Sequence, residues 1–169
     1  MNATRTYLQL TARDRFKPVV DMPPEARVDR IDGCPVSLFR KMYREVGRQY
    51  HWTDRLDWTD ERIRTYLESP DVSYWVLFVR TEPAGYFELR RDTAESVEIA
   101  YFGLLPTFVG RGLGKVLLTA AVERAWALGP NRVWLHTCTL DHPAALRNYL
   151  ARGFEIDRTE DYEVERLIR

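Results

Sequence analysis

The sequence predicts a single α/β domain built on a mixed, mostly antiparallel sheet flanked by helices. Three features carry that prediction. The runs VSYWVLFV, AGYFELRR and SVEIAYFGLL follow one another with only short turn segments between them, as in a meander of antiparallel strands. A glycine-rich loop and a helical stretch come next, and RVWLHTC then follows as another extended run. That strand, crossover helix and strand order sets two strands parallel in one sheet. With 169 residues, 45% of them hydrophobic, the chain suits one core and leaves little room for a second.

Charge and composition narrow the partners. Lys plus Arg and Asp plus Glu both number 25, so no basic excess suits nucleic acid or an anionic membrane surface. No apolar run reaches 18 residues, and the opening MNATRTYLQLTARDRF lacks the layout of a signal peptide. Cys34 and Cys138 alone do not make a disulfide framework. A reduced, cytoplasmic protein is expected.

Residues 1–25, with TYLQLTA as a short strand and MPPEA as a break, read as an N-terminal accessory arm, and 26–169 as the domain, opening on the extended ARVDRI. In CPVSLFRKMYREVG the apolar Val36, Phe39, Met42, Tyr43 and Val46 recur at helical spacing, with Pro35 at the start and Gly47 at the stop. TDERIRTYLESP is a second helix, capped by Thr59 or Asp60 and closed by Pro70. Between them lies RQYHWTDRLDW, rich in aromatics and acids. After the meander, Leu113, Val116, Leu117, Ala120, Ala121, Ala125 and Leu128 mark one face of a helix ending at Gly129 and Pro130. PAALRNYLARGF is a short helix stopped by Gly153, and EVERLI is read as the closing strand.

The stretch LPTFVGRGLGKVLL places Gly110, Gly112 and Gly114 at alternate positions before and into a helix, although each weakens a helix start by up to about 1 kcal/mol relative to alanine. Neither common phosphate loop fits. A dinucleotide fingerprint needs GxGxxG after a first strand, and a P-loop needs a glycine where Val109 stands and Ser or Thr where Val116 stands. A bend of exposed amides on a helix dipole remains, and it suits a pyrophosphate.

From here the sequence resembles the GNAT superfamily of N-acetyltransferases, over roughly Ala26 to the end. The family's acyl-CoA signature, Gln or Arg, two residues, Gly, one residue, Gly or Ala, falls on Val109 to Gly114, with Val109 in place of Gln or Arg. SVEIAYFGLLP resembles the family's fourth strand, whose end holds the pantetheine arm. HPAALRNYLARGF resembles a second motif, matching at Ala145, Tyr149, Gly153 and Phe154, with His142 in place of its asparagine and Asn148 in place of its leucine. The resemblance implies acetyl-CoA as cofactor, held by Phe102, Gly103, Leu104, Val109, Gly110, Arg111, Gly112, Leu113, Gly114 and Lys115. It also implies a small-molecule or peptide amine as acceptor, and it allows a homodimer.

Acetyl transfer to an amine needs a neutral nucleophile, and an alkyl ammonium of pKa about 10.4 is neutral in roughly one molecule per thousand at pH 7. By resemblance Glu98 is the general base, acting directly or through water, and burial would raise its pKa toward the useful range. Tyr149 occupies the family's general-acid position, where it would protonate the departing CoA thiolate. The family's acceptor site includes the loop between the first two helices. Here that loop carries Tyr50, His51, Trp52, Asp54 and Trp58, aromatic faces and acids that suit a cation. HTCTLDH also raises a zinc site or a Cys138 nucleophile, yet it lacks a CxxC pair, a second ligand cluster and an evident base for the thiol. No metal site is expected. The rival reading from another class is a non-catalytic acyl-CoA sensor or interaction module.

Overall fold

The strand β4 (Glu82–Thr93) is buried on both faces over much of its length, which fixes the layering of the whole molecule. A Cβ added to its Gly85 would meet Leu117 of the helix α3 (Leu113–Ala127) at 3.2 Å, whereas Tyr86, the next residue, turns to the opposite side against Trp52. Helix α3 therefore covers one face of the sheet, together with α4 (Ala145–Ala151). Helices α1 (Val36–Gly47) and α2 (Asp60–Glu68) cover the other. The computed structural model describes residues 1–164.

Among the described residues, seven strands form one sheet in the order β2-β3-β4-β5-β6-β1-β7, where β1 is Asn2–Leu10, β2 Ala26–Arg30, β3 Val72–Val79, β5 Ser96–Leu104, β6 Arg132–Cys138 and β7 Glu155–Glu163. The meander β3-β4-β5 is antiparallel and only β5 and β6 pair in parallel, so the sheet is mixed and mostly antiparallel, as the sequence predicts. The helix boundaries follow the residues that cap them. The Thr59 hydroxyl accepts from the Arg62 amide at 3.2 Å at the start of α2, and α1 ends at Gly47.

Two segments differ from expectation. Residues 1–25, read as an accessory arm, contribute β1 to the interior of the sheet, paired antiparallel to β6 on one side and β7 on the other. Leu8 and Leu10 of β1 are buried in the main core, so this strand belongs to the domain. The last strand among the described residues is β7, which ends at Glu163; the predicted EVERLI strand starts at that residue, and its positions 165–168 lie outside the described residues.

Candidate active site

The site opens where β5 and β6 part. They pair in parallel only over Ser96–Glu98 and Arg132–Trp134 and then diverge, while β5 stays bonded to β4 as far as Leu104. Backbone N–H and C=O groups on the parted side of Ala100–Leu104 thus face an open cleft of about 1650 Å³ without a strand partner among the described residues. Such groups need partners, and an extended ligand that carries amides supplies them.

At one end of the cleft lies the start of α3. Gly112, its N-cap, has φ +76°, a left-handed conformation that L side chains rarely adopt. Gly114 has a different reason. Its backbone needs no positive φ, and a Cβ there would meet nothing closer than Asn148 Nδ2 at 3.8 Å. The protein itself does not require that glycine, so the open space in front of it is what the missing side chain preserves. Val109, Gly110, Gly112, Gly114 and Lys115 line the cleft with Phe102, Gly103 and Leu104. Arg111 turns to stack over Phe108 at 5.1 Å, and the Leu113 side chain is buried in the core, so of these two only the backbone is available for a phosphate. The fit to a pyrophosphate on a helix N-terminus, with a pantetheine arm laid along β5, is therefore good.

Glu98 and Tyr149 line the same cleft. Glu98 is 4% exposed and bonded to Arg90 of β4 at 2.5 Å. Burial raises its pKa, and the Arg90 guanidinium partly offsets the rise. Tyr149, on α4, is buried between Phe102 and Phe154, and that burial raises its pKa too, helped by the charge of Asp141. The first residues of α4 are set by His142, whose Nδ1 accepts from the Ala144 amide at 3.0 Å.

The loop between α1 and α2 forms the opposite wall. Tyr50, His51, Trp52, Asp54 and Trp58 all line the cleft. Trp52 is also a packing residue: a Cβ at Gly47 would lie 2.4 Å from the Trp52 Cβ, and its ring stands edge-on to Tyr101 at 5.2 Å. Asp54 accepts hydrogen bonds from the hydroxyls of Tyr43, at 2.6 Å, and Tyr101.

Against known proteins, the model of the acetyltransferase (GNAT) family matches residues 38–154, from α1 to the end of the second motif. The chain belongs to the GNAT family. This GNAT chain shares its fold with a GCN5-related N-acetyltransferase from Kribbella flavida, at 18% identity and TM-score 0.66, covering 92% of this chain and 55% of that one. A GCN5-related N-acetyltransferase from Sphaerobacter thermophilus gives 16% identity and TM-score 0.67, with 93% and 49% covered. The PaiA N-acetyltransferase from Thermoplasma acidophilum, solved in complex with coenzyme A, gives 16% identity and TM-score 0.50, with 62% and 74% covered. The GNAT chain thus spans about half the length of the first two. No curated protein is detectably similar in sequence.

Beside the cleft are residues that the sequence did not single out. Glu88, in the middle of β4, is fully buried and holds Arg55 of the loop between α1 and α2, whose Nη1 lies 2.9 Å from both its carboxylate oxygens; the Tyr66 hydroxyl donates to the same carboxylate at 2.6 Å. A bulge brings this group beside Glu98. Glu88 faces Tyr101 and Leu89 faces Ile99, leaving Ala100 as the extra residue, so that Glu98 and Tyr101 point to the same side although three apart. Among the described residues, no three His, Cys, Asp or Glu side chains are grouped as metal ligands, and no helix is long and apolar enough to cross a membrane.

Proposed function

We propose that this GNAT protein is an acetyl-CoA-dependent N-acetyltransferase that moves the acetyl group to a primary amine by direct attack through a tetrahedral intermediate. One observation carries the reading: the glycine-rich start of α3, Glu98 and Tyr149 converge on one cleft whose β5 wall has backbone groups free for a ligand. The amides around Gly112 and Gly114, with Lys115 beside them, hold the CoA pyrophosphate.

Glu98 takes the proton that the acceptor ammonium must lose, directly or through a water. Its burial helps, because a carboxylate of raised pKa is a better acceptor for an amine proton than a solvated one. The thiolate that leaves needs a proton or a hydrogen bond. Tyr149 keeps its proton at neutral pH, since burial pushes its pKa up. A thiol of pKa about 8.5 is more acidic than such a phenol, so the favoured contribution of Tyr149 is a hydrogen bond to the developing sulfur charge. Tyr50, His51, Trp52, Asp54 and Trp58 receive the acceptor.

The test is free-thiol release from acetyl-CoA across a panel of primary amines, beside a calorimetric titration with coenzyme A. Thiol release that depends on both amine and Glu98 supports the reading. Tight binding of coenzyme A with no release on any amine favours a non-catalytic acyl-CoA sensor, and no heat on titration removes both.

A further inference from the structure

Arg55 is 6% exposed although its neighbours Asp54 and Leu56 are open to solvent. It reaches inward from the acceptor loop to Glu88, and its guanidinium stacks 3.8 Å above the Tyr101 ring, with Tyr66 at 4.5 Å and Trp58 at 4.7 Å. A buried ion pair is a poor source of net stability, because desolvating two charges cancels most of their attraction. What it does supply is position. The planar guanidinium is held edge-on by a carboxylate and face-on by rings, and so fixes the loop in one register.

That register places Asp54. Its Oδ1 accepts from Tyr43 and its Oδ2 from Tyr101, while the Arg55 amide donates to the Tyr43 hydroxyl at 3.2 Å. Both bonds to Asp54 come from neutral phenols, whose protons are retained because burial raises the pKa of each. The rings of Tyr43, Trp52 and Tyr101 cluster with centroids 5.2 to 5.7 Å apart, and two of them carry the hydroxyls bonded to Asp54. An exposed carboxylate beside aromatic rings in the cleft suits a cation.

The nitrogen under attack must be neutral, whereas a neighbouring carboxylate favours the ammonium form. Both Asp54 oxygens already receive phenolic hydrogens, and the acceptor of the amine proton is Glu98, which faces Arg90, two residues and roughly 7 Å along β4 from the Glu88 that faces Tyr101. The charge that Asp54 holds is therefore a different one. Building on the acetyl-transfer reading, we propose that Arg55 and Glu88 are a positioning pair that sets Asp54 as the seat for a second positive charge on the acceptor, so that dicationic amines are the preferred substrates.

Butane-1,4-diamine and butan-1-amine test this, as calorimetric ligands in the presence of coenzyme A and as substrates in thiol release. The diamine is expected to bind the wild type about tenfold tighter or better, the scale of a charge-assisted and cation–π contact. In Asp54→Asn, an exposed position, the ratio falls to near one while the coenzyme A titration is unchanged. Glu88→Gln lowers the ratio through the diamine's KM, with kcat moved less, and Arg55→Lys keeps more of the ratio than Arg55→Met. Should the Glu88 variant not fold, Tyr101→Phe interrogates the same link by removing one donor to Asp54. Equal affinity for the two amines in the wild type overturns the proposal, as does a preference that survives Asp54→Asn. Discrimination in binding with no thiol release from any amine of the wider panel overturns acetyl transfer and leaves the cation seat standing, whereas release from other amines but not from the diamine overturns the substrate preference.

Discussion

Arg90 Nη2 lies 2.5 Å from Glu98 Oε2, joining two residues that face each other directly across β4 and β5. Burial, the larger influence, raises the Glu98 pKa, and the guanidinium lowers it. In the proposed role of base Glu98 acts only when deprotonated, so acetyl transfer is expected to fall as pH drops through that pKa. Arg90→Gln removes the cation and keeps the burial, so the acid limb of kcat/KM moves to higher pH. Glu98→Gln removes the limb and lowers the rate by roughly 10²- to 10⁴-fold. The pH–rate profiles of the three proteins check both; a limb at the same pH in Arg90→Gln would show that Glu98 does not set it.

Tyr149 offers a second measurable point. Its ring packs against Phe102 and Phe154, contacts that phenylalanine keeps, so Tyr149→Phe changes one hydroxyl. The expected result is a fall in kcat of roughly 10²-fold, the scale of one lost transition-state hydrogen bond, with the dissociation constant of coenzyme A unaltered. Unchanged kcat would place the leaving sulfur elsewhere.

How far the sequence showed this site depends on the range of the signal. The glycine loop was legible because Gly112 and Gly114 go against helix propensity, a local conflict visible without a fold. The meander was legible because its apolar runs end at turn residues. β7 was not, since Glu155, Asp157, Arg158, Glu160 and Asp161 leave an edge strand with scarcely a buried face and hence no alternation to read. β1 was read as an arm because its partners, β6 and β7, lie at the far end of the chain. Arg55 and Glu88 are 33 residues apart, and only the fold brings them together. Each alone looks like an ordinary surface charge.

The two glycines of α3 are expected to respond in opposite ways. Gly112→Ala forces a side chain into the left-handed region and costs about 1–2 kcal/mol of stability, read as a lower Tm. Gly114→Val meets no backbone obstacle and leaves Tm equal or higher, yet its methyl groups enter the cleft. Coenzyme A affinity should then fall by about tenfold or more, near 1.4 kcal/mol. Thermal unfolding and calorimetry on both variants separate strain from occlusion, and full affinity in Gly114→Val would show that the ligand does not pass this residue.

The buried pair makes the last prediction. Arg55→Met or Glu88→Gln alone disrupts the ion pair, and Arg55→Met leaves the Glu88 charge fully buried; a broken buried pair costs about 3–5 kcal/mol in denaturant unfolding. Removing both charges relieves that, but the Tyr66 hydroxyl would lose the carboxylate it donates to, an orphaned donor costing about 1–3 kcal/mol. The triple variant Arg55→Met, Glu88→Leu, Tyr66→Phe is therefore expected to recover most of the loss, whereas the double variant recovers only part. If the triple variant is no more stable than Arg55→Met, the charges are not energetically coupled. A recovered triple variant that no longer discriminates a diamine from a monoamine would separate the two roles, because the loop would then be stable but no longer held in the register that presents Asp54.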